Sequence, residues 1–328
     1  GGLMNSHFVR LRPDMSVDEA ISYMRIQAKS QIETIYYSYV IDADQTLVGV
    51  VSFRELFAAP PHKKIREIMN TDVISVPVGL DQEHVAKIFT QHDLMMLPVV
   101  DEWGHIKGVV TFDDIASVIQ EETTEDIHKI AAVESLDAPY MKISFFELIR
   151  KRGGWLVILF FSEMFTATAM GYYQSEIEKA VVLALFIPLI ISSGGNSGSQ
   201  ASTLIIRAMA LGEIRLRDWW RVLVREIAAG ACLGIILGAI GLMRVVFWPT
   251  REVLYGQHFL MIGATVATSV VGVVMWGTIS GSMLPFLLRR LGLDPASASA
   301  PFVATIVDVT GLVIYFTVAH QILTGTLL

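Results

Sequence analysis

Cysteine is nearly absent: the one copy in 328 residues is Cys232, inside an apolar stretch. That excludes an intramolecular disulfide framework and a thiolate metal cage. Charge is scarce as well, with Asp, Glu, Lys and Arg making up 17% of the chain, against about 25% in an average soluble domain. The scarcity is uneven. After Arg152 there are 10 Lys+Arg and 9 Asp+Glu, a balance of +1; the totals of 25 and 32 leave 15 and 23 before it, a balance of −8. The chain therefore reads as an acidic, soluble-type first part and an apolar, Gly-rich second part. Nucleic acid selects basic surfaces and is excluded as a partner. No signal-peptide pattern opens the sequence, so the first apolar block is expected to serve as its own insertion signal.

Against that low background, Asp308 stands out. It lies in an otherwise uncharged run from Pro301 to Phe316. A carboxylate at the centre of a transmembrane helix costs about 2.5–3.5 kcal/mol on insertion scales, so such residues face a bundle interior or a wet cavity and mark ion pathways. A cation site is the direct reading, and a buried structural acid is the alternative.

The first part contains a degenerate repeat. Tyr39-Val-Ile-Asp42-Ala-Asp44-Gln-Thr-Leu-Val-Gly49-Val-Val-Ser52 is echoed by Leu97-Pro-Val-Val-Asp101-Glu-Trp-Gly104-His-Ile-Lys-Gly108-Val-Val-Thr111. Each copy predicts strand, polar turn, strand and helix. An amphipathic helix precedes each hairpin, at 17–27 and 82–91, with Ser16 and Asp81 as N-caps. The repeat resembles a tandem pair of CBS domains over about residues 9–120. That resemblance implies a pseudo-symmetric disc and an adenine-nucleotide site, ATP or a relative, at a turn matched by Gly108, Thr111 and Asp114. Glu55 stands in the first copy where the shorter acid is expected. Thr111 and Asp114 read equally as a cap for the following helix.

An acidic segment, Glu121 to Asp126, leads to a connector ending in Arg150-Lys151-Arg152. It reads either as a solvated helix face or as a metal-screened contact, since clustered carboxylates repel until a divalent cation neutralises them. Five apolar blocks follow at approximately 154–174, 177–208, 218–248, 256–288 and 300–326. Each is long enough for the roughly 20 residues that cross a bilayer. Arg150–Arg152, Arg207, Arg215, Arg217, Arg221, Arg289 and Arg290 put the N-terminus and two loops in the cytoplasm. Glu176 and Glu178 oppose only Lys179 in the first outer loop, and the C-terminus falls outside.

The second block carries Ser192-Ser-Gly-Gly-Asn196-Ser-Gly-Ser199-Gln200-Ala-Ser-Thr203. Small residues permit close packing; Asn196, Ser199, Gln200 and Thr203 add oxygens suited to water around a hard cation. The fifth block presents Ala304, Asp308, Gly311 and Tyr315 at spacings of four, three and four, a small face that a symmetry mate can approach. Glu163 and Glu226 are further acids in apolar stretches, readable as pore groups or as interface and inter-helix groups. Octahedral oxygen coordination with retained water suits Mg²⁺, while Mn²⁺, Co²⁺ and Ca²⁺ stay open on donor chemistry.

These motifs, with Thr124-Glu-Asp-Ile-His-Lys129, Met283-Leu-Pro-Phe-Leu-Leu-Arg-Arg290 and Ala304-Thr-Ile-Val-Asp-Val-Thr-Gly311, together resemble the MgtE family of magnesium channels. The resemblance runs over essentially the whole chain. It implies an α/β CBS pair (first motif 1–65, second 66–122), an acidic connector or plug helix at 123–152 and an all-α membrane domain of five helices at 153–328. It implies a homodimer in the cytoplasmic membrane, surrounded by lipid, that is not an enzyme and that passes divalent cations along its dimer axis. Asp308 and Ala304 are then the pore metal site, with Asn196, Ser199, Gln200 and Gly311 lining the pore. Asp93, Asp114, Glu122, Glu125 and Asp126 become regulatory acids through which cytosolic Mg²⁺ closes it. A coupled divalent-cation exchanger and a CBS nucleotide-sensing receptor are the alternatives. The sequence departs from the family pattern at Ala300 and Ser199, each where Asn is usual, and at Ser117 in place of an acid. It also begins almost at the CBS pair, where family members often carry an acidic helical domain.

Overall fold

The computed structural model describes residues 3–27 and 36–327. The chain divides into two compact units, Gly1–Thr123 and Thr124–Leu328.

In the first unit, β1 (Arg10–Leu11), α1 (Val17–Gln27), β2 (Tyr37–Ile41), β3 (Leu47–Ser52), α2 (Phe53–Ala58) and α3 (Ile65–Ile68) form one copy of the repeat. Then β4 (Val76–Pro77), α4 (Gln82–His92), β5 (Met96–Val100), β6 (Ile106–Thr111) and α5 (Phe112–Ile130) form the other. The two three-stranded sheets share one plan: a short strand parallel to the first hairpin arm, then an antiparallel hairpin. Register is repeated too, Tyr39 opposite Val50 and Pro98 opposite Val109, with irregularities at Val40/Ile41 and Val99/Val100. Both expected caps are present: Asp81 accepts from the Glu83 amide at 2.8 Å, and Ser16 shares a reciprocal pair of bonds with Glu19. Leu56 and Ile65 are fully buried in one core and Leu97 and Ile115 in the other, each worth roughly 1.5–3 kcal/mol in removed apolar surface.

The second hairpin turn is closed by Asp101. It accepts from the amides of Trp103 (3.0 Å) and His105 (2.9 Å) and pairs with Lys107 at 2.9 Å. Desolvation opposes its ionisation, yet Lys107 and the two amides outweigh it and hold the carboxyl well below the usual carboxylate range. The folded pKa is thus lower than the unfolded value near about 3.9. Its stabilisation is complete above that value and is lost as pH falls through the folded pKa. Hydrogen exchange of residues 96–111 on acidification from about pH 5 to about pH 3 should show falling protection, and Asp101→Asn should start lower and change less.

The second unit holds the end of α5, then α6 (Phe145–Tyr172), α7 (Gln174–Lys179), a 3₁₀ segment (Val181–Phe186), α8 (Ile187–Ala210), α9 (Trp219–Val246), α10 (Arg251–Tyr255), α11 (Phe259–Arg290) and α12 (Ala300–Leu323). Among the described residues five helical stretches are long and apolar enough to span a bilayer: 145–172, 181–210, 216–246, 259–290 and 300–323. The first begins nine residues before the apolar block, because Ser144 caps the polar turn at Glu147. The connector is not one helix through 152. Instead α5 ends at Ile130, Ala132 takes a left-handed conformation (φ 55°), and Lys151 on α6 donates to Ser135 and pairs with Asp137 at 2.7 Å to hold the intervening turn.

Helices in lipid cannot be held together by water exclusion, so close backbone approach takes over. A Cβ on Gly198 would lie 2.9 Å from the Gly277 carbonyl, and one on Gly281 would overlap the Gly198 carbonyl. On α9, Gly230, Gly234 and Gly238 press the same way against Met275, Val271 and Ala267 of α11. The central α11 is therefore clamped by glycine on both sides. Gly281→Val should cost about 1–3 kcal/mol by overpacking, measured as a lower melting temperature of the detergent-solubilised protein.

Candidate functional site

The start of α12 is set by α8. Ser202 donates to the Ala298 carbonyl at 2.6 Å and Ser199 to the Ala300 carbonyl at 3.0 Å, while Ser299 caps the helix by accepting from the Phe302 amide. Ser199 and Ala300, two of the three positions expected to depart from the family pattern, are therefore joined by a bond from the Ser199 hydroxyl to the Ala300 backbone. Farther along, the Tyr315 hydroxyl donates to the Leu183 carbonyl at 2.8 Å, fixing α12 against the 3₁₀ segment.

Between these anchors α8 and α12 leave an open groove of about 330 Å³ lined by Pro188, Ile191, Ser192, Gly195, Asn196, Ala304 and Asp308. Ala304 and Asp308 are one turn apart on α12, and both are half-buried. Gly195 faces them: a Cβ there would sit 3.4 Å from the Ala304 Cβ and 3.7 Å from the Asp308 Oδ1. A larger residue at Gly195 would cover the carboxylate. Among the described residues no Lys, Arg or His nitrogen lies within 4.0 Å of Asp308. The oxygens around it, the carboxylate, the Asn196 amide and the Ser192 hydroxyl, are hard donors. Six water molecules at about 30 Å³ each occupy about 180 Å³, so a hydrated Mg²⁺ fits the groove with its water retained.

The remaining predicted pore residues are placed differently. Gln200 is exposed and does not line the groove. The Ser199 hydroxyl is spent on Ala300. Gly311 is buried with Val273 3.1 Å from where its Cβ would be, and Tyr315 is fully buried. The small face of α12 is thus continuous along the helix, but α11 and the 3₁₀ segment cover its C-terminal half and only Ala304 and Asp308 stay open. Sequence reasoning missed Pro188, Ile191, Ser192 and Gly195 as a lining, although their three-and-four spacing with Asn196 puts them on one face of α8. Glu163 lies exposed on α6, within electrostatic reach of Asp308, and Glu226 is half-buried on α9.

The predicted regulatory acids divide between the two units. In the first, Asp93 is exposed in the left-handed C-cap of α4, Asp114 accepts from Thr111 Oγ1 at 2.6 Å, and Glu122 accepts from Gln82 at 2.7 Å. In the second, Glu125 pairs with Lys129 at 2.6 Å, and Asp126 is half-buried. Lys129 also pairs with Asp294 at 2.6 Å, in the turn before α12. Burial would lower the Lys129 pKa, but these two carboxylates outweigh it and raise it above the usual lysine value. Among the described residues no three His, Cys, Asp or Glu side chains converge as a metal cluster. At the nucleotide motif the Thr111 hydroxyl donates to the Asp114 carboxylate, and Gly108 is covered by Met4 and Asn5. A separate cavity of about 410 Å³ opens beside Val76, Asp81 and Gln82.

Comparison with known proteins bears on this arrangement. The MgtE profile, described as divalent cation transporter, matches residues 187–318, and the CBS profile matches 1–62 and 65–121. The magnesium transporter MgtE of Thermus thermophilus is 43% identical over 98% of this chain and 70% of its own length. The chain belongs to the MgtE family. A second MgtE, from Enterococcus faecalis, is 34% identical over 98% of this chain and 68% of its own. A solved cytosolic domain of the Mg²⁺ channel MgtE in complex with ATP is 44% identical, covering 36% of this chain and 47% of that one, with a TM-score of 0.35. Matches to inosine-5'-monophosphate dehydrogenases cover only the CBS region; the family is one of transporters, not enzymes. This is a multi-pass membrane protein of the MgtE family, with a CBS pair followed by five apolar helices.

Proposed function

We propose that the chain conducts Mg²⁺ passively through a pore in which the Asp308 carboxylate is the central ligand. The carrying observation is the open groove that presents an unpaired Asp308 beside Ala304, Gly195 and Asn196 in a protein of the MgtE family. One groove supplies one carboxylate on one side of an ion, and hydrated Mg²⁺ is held by one or two carboxylates. A homodimer with its axis along the groove completes the site with a second Asp308. The basic residues orient the membrane domain with the N-terminus and CBS pair in the cytosol and the C-terminus outside.

Regulation in this reading runs through the connector, 123–152. Cytosolic Mg²⁺ neutralises Asp93, Asp114, Glu122, Glu125 and Asp126 and closes the pore. Lys129 ties α5 to Asp294, in the turn that leads into α12, which links the connector to the segment preceding the helix carrying Asp308. ATP or another adenine nucleotide is the ligand proposed for the CBS pair, with the Thr111 hydroxyl and Asp114 carboxylate as its contacts.

Purified protein in liposomes tests the reading. Mg²⁺ should enter down its own gradient without sodium or proton coupling, Ca²⁺ should compete poorly, and entry should fall as internal Mg²⁺ rises. Flux that needs a proton or sodium gradient would instead indicate an exchanger. Glu125→Gln with Asp126→Asn should shift closure to higher internal Mg²⁺ by several-fold, roughly 1 kcal/mol for the loss of partly exposed charges, read from the same assay.

A further inference from the structure

The loop between α9 and α11 carries two arginines that the transport reading does not use. Arg244, in the last turn of α9, stacks on Trp248 with its guanidinium carbon 3.4 Å from the ring centroid and donates to the Tyr255 hydroxyl at 3.3 Å. Arg251, the first residue of α10, lies 4.8 Å from the Phe259 ring centroid and donates to the Val246 carbonyl. These contacts hold both guanidinium planes in place. Each group has five N–H donors, and among the described residues one hydrogen bond is made by each. Among the described residues no carboxylate lies within 4.0 Å of either.

The position of the loop gives those donors a use. Residues 247–258 join the ends of two membrane-spanning helices and so lie at the boundary between hydrocarbon and water. Phe247 and Val253 are 75% and 90% exposed, with Trp248 and Leu254 beside them, a set suited to the headgroup level. Residues Phe247 to Val253 line a pocket of about 470 Å³. Its wall includes Arg251 and also Glu252, and Arg244 flanks it through Trp248. Two guanidiniums against one carboxylate leave a single net positive charge.

We infer that this pocket binds the phosphodiester of an anionic membrane phospholipid, with Arg244 and Arg251 donating to the phosphate oxygens and Phe247, Trp248 and Val253 resting on the acyl boundary. Guanidinium forks match phosphate oxygens in geometry, and one net positive charge suits the singly charged diester. The proposed topology puts this loop on the outer side, where the other loops hold few basic residues, so the net positive charge of this pocket suits a local anionic ligand.

Native mass spectrometry of the full chain, titrated with phosphatidylglycerol, tests the inference. Wild type should retain lipid. Arg244→Gln with Arg251→Gln should weaken retention on the order of tenfold. Arg251→Gln also removes the contact to Val246, so Glu252→Gln serves as a second variant that breaks no hydrogen bond in the structure and should tighten binding. Inorganic phosphate at millimolar concentration should not displace the lipid. Unchanged retention in the double arginine variant, no tightening in Glu252→Gln, or displacement by inorganic phosphate would each overturn the lipid assignment. None of these readouts depends on Asp308, so failure here and failure of the transport reading are told apart.

Discussion

Asp308→Asn should abolish Mg²⁺ entry into liposomes while leaving the protein folded. Asn keeps the size and one oxygen of the side chain and removes only the charge. Two unit charges 4 Å apart attract by about 4 kcal/mol at an effective dielectric of 20, and a divalent ion doubles that. Retaining even a third of the interaction in wild type gives a loss on the order of a hundredfold. Helix packing should survive, because the carboxylate faces the groove and makes no ion pair among the described residues. Flux normalised to reconstituted protein, with circular dichroism and melting temperature as controls, reads the effect. Wild-type flux in the variant would remove Asp308 from the pathway.

Ala304→Leu should also block conduction, by a different route. Ala304 stands one helical turn before Asp308 and against Gly195, whose missing side chain keeps the groove open. A branched side chain there projects into a space sized for a hydrated ion. Narrowing it forces removal of water that Mg²⁺ surrenders reluctantly, and flux should fall on the order of tenfold or more. Ala304→Ser, close to Ala in size and bearing an oxygen, should conduct near the wild-type rate. If the Leu and Ser variants conduct equally, the groove is not the path.

Local pattern made much of this fold readable in advance. The two hairpins, their Asp-centred turns and the Ser16 and Asp81 caps follow from alternation and cap chemistry within a dozen residues. The five spans follow from length and hydropathy. Asp308 and Ala304 were legible because a charge in an apolar helix needs a reason and a spacing of four shares a face. What escaped depends on partners distant in sequence. Gly311 and Tyr315 lie on the same face as Asp308, yet Val273 and Leu183 cover them. Ser199 reads as a pore-lining residue, but its hydroxyl donates to a carbonyl 101 residues away. The break of the connector at Ala132 hangs on a left-handed residue that is not glycine and on Lys151 reaching back to Asp137, neither of which a periodicity signals.

Ala300 and Ser199 carry a related lesson. Both are expected departures from the family pattern, and they form one contact at the entrance of α12, 3.0 Å from hydroxyl to carbonyl. With the Ser202 bond to Ala298, it ties the start of α12 to α8.

The most direct test of the central claim is the position of a bound ion. Crystals of the protein grown with Mn²⁺, a stand-in for Mg²⁺ that gives an anomalous signal, should show a peak in the groove between the Asp308 carboxylate and Gly195–Asn196, and the peak should vanish in Asp308→Asn. Manganese confined to the acidic first unit and the connector, with nothing beside Asp308 at saturating metal, would contradict the account.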